Sequence, residues 1–65
     1  MSVMDMNERL RRWRAGQEWS LEVAAVHLGC SVSSLRNYEN GATPKNRALR
    51  SRIKRILSAW ERANA

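Results

Sequence analysis

Residues 19–41 read WSLEVAAVHLGCSVSSLRNYENG, and this stretch decides the fold. Ser20 stands before the apolar-rich run LEVAAVHL, which stops at Gly29. A serine in that place caps a helix by accepting a hydrogen bond from an amide of the first turn, and glycine is the commonest residue just past a helix end. Leu21, Ala24, Ala25 and Leu28 recur three and four apart and so share one face of the helix. Ser31 then repeats the cap ahead of VSSLRNYE, with Leu35 and Tyr38 on its inner side and Gly41 as its stop. Nothing in the stretch alternates with the period of a strand.

Two short helices joined only by Gly29 to Val32 fit a helix-turn-helix. The residue types suit that geometry. Small Ala25 lets the second helix cross the first closely, Gly29 permits the turn, and Leu35 and Tyr38 anchor the later helix to a core. Working outward, a preceding helix is expected to start at Asp5, with Glu8 completing a capping box. Met6, Leu10 and Trp13 form its apolar stripe and Gly16 its stop. A following helix is expected from Thr43 and Pro44, since proline suits the first helical position. Its stripe is Leu49, Ile53, Ile56, Leu57 and Trp60, and its other faces are basic. The expected fold class is all-α: one domain over residues 1–65, a small bundle of four helices with a central helix-turn-helix and a long last helix.

Charge points to the kind of partner. The 65 residues carry a formal net charge of +6. Residues 1–41 balance Arg9, Arg11, Arg12, Arg14 and Arg36 against Asp5, Glu8, Glu18, Glu22 and Glu39. Residues 42–65 hold Lys45, Arg47, Arg50, Arg52, Lys54, Arg55 and Arg62 against Glu61 alone. Such asymmetry indicates a polyanion partner, whereas its bland reading is a solvated helix face. No apolar run reaches the length of about 18 residues that a membrane span needs. The opening MSVMDMNERL lacks a signal-peptide pattern, and the single cysteine, Cys30, has no partner for an internal disulfide. A cytoplasmic protein is expected.

At LRRWR (10–14), the 19–41 stretch and Pro44, the chain resembles the Xre-type, lambda-repressor-like helix-turn-helix regulators. YENG at 38–41 matches the aromatic–Glu–Asn–Gly text that typically closes the family's recognition helix. The resemblance implies a lambda-repressor-like bundle and double-stranded DNA as partner, with no cofactor. Ser31, Val32, Ser33, Arg36 and Asn37 would then face the major groove. There Arg36 would suit guanine, Asn37 adenine and Val32 a thymine methyl. Ser20 at the start of the second helix, and Asn40, Lys45, Asn46 and Arg47 beyond the third, would hold phosphates. Arg50 and Arg52 are either further contacts or members of a solvated stripe. Arg14 and Glu39 would form the structural ion pair that commonly joins the family's first and third helices. The chain departs from the family at Leu21 and Val32, where glutamine is frequent, and in having a long fourth helix in place of a fourth and a fifth.

Other residues read more plainly. Trp13 and Trp19 suit the core. Ile56, Leu57 and Trp60 suit a homodimer patch, with Trp60 folding back on the first helix as the competing reading. His27 reads as a surface residue and Cys30 as a small core hydrophobe. No catalytic or metal-ligating constellation is present, so the chain is not expected to be an enzyme. No sensor domain fits in 65 residues, so no small-molecule ligand is expected. The expected function is a dimeric repressor, acting on its own promoter, that binds an inverted-repeat operator. Phage Cro-like proteins, antitoxins and the autorepressors that accompany anti-CRISPR genes are all small regulators of this type, and the residues do not choose among them. The alternative is a protein-interaction module, antitoxin-like, that binds an acidic partner.

Overall fold

The computed structural model describes residues 5–64, which form α1 (Met6–Gln17), α2 (Leu21–Leu28), α3 (Val32–Glu39) and α4 (Arg47–Ala63). No strand occurs among the described residues. Leu10 and Trp13 from α1, Ala24, Ala25 and Leu28 from α2, Leu35 from α3, and Ile53 and Leu57 from α4 close into one core. Burying a leucine- or isoleucine-sized side chain contributes roughly 1.5–3 kcal/mol, so this short roster supplies most of the drive to fold. Both α3 and α4 pack on α1 and on α2, but not on one another to any comparable extent. They therefore stand across the core from each other.

The caps of α2 and α3 are the serines expected from the sequence. Ser20 Oγ accepts the Val23 amide at 3.2 Å, and Ser31 Oγ accepts the Ser34 amide at 3.0 Å. Gly29 ends α2 with φ at 79°, a left-handed conformation that costs glycine little. A side chain there would also run into the Arg52 guanidinium, which donates to the Leu28 carbonyl at 3.4 Å.

Three helix ends differ from expectation. Asp5 occupies the N-cap position of α1, but its side chain makes no cap hydrogen bond. No capping box forms with Glu8; both residues are exposed, and water can serve the first-turn amides. Gly16 lies inside α1, and the left-handed turn falls instead on Glu18, with φ at 57°. The glycine serves close approach: a Cβ on Gly16 would sit 2.6 Å from Cζ2 of Trp60. Finally, Thr43 and Pro44 do not start α4. Pro44 is fully buried within the loop that joins α3 to α4. Asn46 caps the helix instead, its Oδ1 accepting the Leu49 amide at 3.1 Å.

Candidate nucleic-acid interface

Helix α3 is divided lengthwise. Leu35 and Glu39 are buried and Tyr38 is half-buried, while Ser33, Arg36, Asn37 and Asn40 are exposed. The 3.6-residue repeat places these four within an arc of about 100°, so they share one outward face. Val32, at the first position of the helix, is half-buried against the core. Ser31 is already engaged, since its hydroxyl takes the cap bond and also donates to Ser34 Oγ at 2.8 Å. Ser33, Arg36 and Asn37 are thus the side chains with the freest reach.

The far end of this helix is fixed by α1. Arg14 Nε donates to Glu39 Oε2 at 2.7 Å and Nη2 to Oε1 at 3.0 Å, a two-pronged ion pair. The Glu39 side chain is 9% exposed, so water replaces little of this pairing. The carboxylate raises the Arg14 pKa further, mainly through the side-chain hydrogen bond. Arg11 adds a grip on the backbone, its Nε and Nη2 donating to the Glu39 carbonyl at 3.0 and 2.7 Å. Two positive charges also suit the negative end of the α3 dipole.

The residues expected to hold phosphates, Ser20, Asn40, Lys45, Asn46 and Arg47, are all exposed. Ser20 and Asn46 are both helix caps whose side-chain oxygen is occupied by an amide. Each keeps a donor, the serine O–H or the asparagine NH2, for a phosphate oxygen. Of the two arginines with open roles, Arg52 closes α2, and Arg50 Nη1 lies 3.5 Å from the Pro44 carbonyl.

The supposed dimer patch needs correcting. Leu57 is completely buried and belongs to the core, because it falls one helical turn from the buried Ile53 on the same side of α4. Ile56 and Trp60 are half-buried, with Trp60 lying over Gly16 of α1. Sequence reasoning also missed the neighbouring clamp. Arg9 Nε and Nη2 reach Glu61 Oε2 and Oε1 at 2.7 and 2.9 Å. The Arg9 hydrogen bond lowers the Glu61 pKa below the ordinary carboxylate value. The sole signal for it was one acidic residue in a basic helix.

Trp13 is buried, and Trp19 meets it edge to face at 5.4 Å. His27 is exposed but stacks on Trp19, with ring centroids 3.9 Å apart. Cys30 is half-buried, and burial raises its thiol pKa. Among the described residues no group of His, Cys, Asp or Glu is placed to hold a metal ion. No helix there is long and apolar enough to cross a membrane.

A family model for a helix-turn-helix domain, of the Xre/Cro-like kind, matches residues 6–57 and thus spans all of α1 to α3 and most of α4. The chain belongs to this helix-turn-helix family. No curated protein and no solved structure gives a significant match to it. Within the helix-turn-helix domain, α2 and α3 are the paired helices. Family membership supports DNA binding and transcription regulation as its work.

Proposed function

We propose that this helix-turn-helix domain is a sequence-specific repressor that lays α3 in the major groove of an operator. The observation that carries this reading is the exposed row Ser33, Arg36 and Asn37, backed by a buried Leu35 and a doubly held Glu39. Arg36 forms no ion pair among the described residues, so its five donors remain for a guanine edge. Ser31 and Val32 lie where the helix meets the groove wall, in reach of a sugar or a thymine methyl. Ser20, Asn40, Lys45, Asn46 and Arg47 flank them as phosphate contacts that set register without reading sequence.

The active form we propose is a homodimer on an inverted repeat, with two α3 helices about 34 Å apart. Ile56 and Trp60 remain its contact residues; Leu57 does not. Occupancy of such a site would block a promoter by exclusion.

Selection from random duplex DNA at moderate salt tests both parts. The expected result is an enriched inverted repeat, whose spacing gives the dimer geometry. Recovery of an unpaired half-site would remove the dimer. Absence of any enrichment would remove sequence-specific reading and favour a protein-interaction module. With the operator in hand, Arg36→Ala should weaken its binding by about 1–3 kcal/mol and relax preference at one base pair.

A further inference from the structure

Much of the C-terminal positive charge is not on the α3 side. Arg47, Ser51, Lys54, Arg55 and Arg62 are all exposed on α4. By the helical repeat they fall within an arc of about 100°, almost diametrically opposite the apolar stripe of Leu49, Ile53, Leu57 and Trp60. From Arg47 to Arg62 the row runs for about 22 Å at 1.5 Å per residue. None of its four cations forms an ion pair among the described residues. The only acidic side chain on α4, Glu61, is neutralised by Arg9. Since α4 lies across the core from α3, the row beyond Arg47, which already serves the flanking phosphate site, points away from the reading face.

We propose that the outer face of α4 is a second DNA-binding surface, taking the phosphate backbone of a second duplex while α3 holds the first. The inference rests on the DNA-binding reading above. Two features select DNA over an acidic protein or a membrane. Both alternatives use large apolar anchors as well as charge, and the exposed large hydrophobics among the described residues, Val23 and Val26, lie on α2. The α4 face has cations and small polar residues only, which suits a sequence-independent polyphosphate strand. A domain already resting on one duplex would then hold another by a weak, salt-sensitive contact and tie two DNA segments together.

The test immobilises the selected operator duplex, saturates it with protein at about 0.15 M salt, and adds an unrelated fluorescent 20-base-pair duplex. At that salt, charges are screened over about 8 Å, and the domain is at least 20 Å across. Neutralising α4 should therefore scarcely affect the operator side. The wild type should capture the second duplex. The variant K54Q/R55Q/R62Q should lose that capture at least tenfold, while its operator affinity stays within about twofold and its thermal melt is unchanged. Capture that survives in this variant, or operator binding that falls along with capture, would overturn the proposal. So would stronger capture of polyglutamate, or of an RNA hairpin of equal charge. A wild type that binds operator but captures nothing would overturn it and leave the repressor reading standing, whereas failure to bind any duplex would end both.

Discussion

Replacing Arg14 by leucine removes the partner of a carboxylate that is almost wholly out of water. Glu39 accepts two short hydrogen bonds from that guanidinium. Stranding one partner of a buried pair costs about 3–5 kcal/mol. The Arg14 side chain is 29% exposed, and water can enter beside it. We therefore place the loss at about 2–4 kcal/mol. A domain of this size has roughly 3–10 kcal/mol in all, by the usual 0.05–0.15 kcal/mol per residue. The variant should thus sit close to its unfolding threshold. With a urea dependence near 1 kcal/mol per molar, the midpoint should fall by about 2–4 M. The double variant R14L/E39L leaves no charge buried alone and should regain at least half of that loss. Glu39→Leu alone should cost less than Arg14→Leu, because a half-exposed arginine can turn to solvent. Urea unfolding followed by circular dichroism measures all three. A coupling energy below about 0.5 kcal/mol would show that the two residues do not act as a unit, and would refute the reasoning.

Gly16→Ala should destabilise by about 1 kcal/mol despite alanine's better helix propensity, because the added methyl overlaps the Trp60 ring. In a Trp60→Ala background the same change should instead stabilise, and equal effects in both backgrounds would dismiss the close-approach role. Asn46→Ala should cost about 1 kcal/mol in thermal unfolding through loss of the α4 cap, with Asn46→Ser largely restoring it; an unaffected alanine variant would mean that Thr43 or Pro44 sets the helix start after all. Glu61 has a lowered pKa when folded, so the clamp contributes stability above the ordinary carboxylate value, and that contribution is lost as pH falls through the lowered one. Glu61→Gln should therefore differ from wild type at neutral pH by well under about 1 kcal/mol, the pair being half-exposed, and the gap should close as the medium is acidified below the ordinary carboxylate range. A gap that widened in acid would contradict this.

The sequence was most legible where local chemistry alone decides the structure. Ser20, Ser31 and Gly29 specify their helix ends through bonds that span three or four residues, and the structure places those ends accordingly. Gly16 and Pro44 look like local punctuation, but Gly16 answers to distant Trp60, and Pro44 is buried in the loop ahead of α4 without starting it. Leu57 was legible as apolar, but not as inward-facing. The stripe on α4 is wide, and only the packing of α1 and α2 against it determines which part is covered. The outward placing of Ser33, Arg36 and Asn37 on α3 followed from helical periodicity once Leu35 was taken as the anchor, whereas the proposal that they read bases came from the family resemblance. The arginines were the hardest to read. Arg9, Arg11 and Arg52 reach across the fold to a carboxylate or a helix-end carbonyl, and a long flexible side chain leaves no periodic trace of where its head will lie. Only the Arg14–Glu39 pair was visible beforehand, and then through family resemblance.

The stretch of α4 beyond Leu57 bears on how the molecule breathes. Among the described residues none past Leu57 is fully buried, and Ser58 to Ala63 are attached to α1 chiefly through Trp60 over Gly16 and Glu61 on Arg9. Trp60 rests only partly buried on the edge of the core, and the Arg9–Glu61 pair lies outside it. This segment can therefore detach as a separate cooperative unit while the first three helices stay assembled. Its amides should trade hydrogen for deuterium through that partial opening, well ahead of those around Ile53, whose exposure demands that the whole domain come apart.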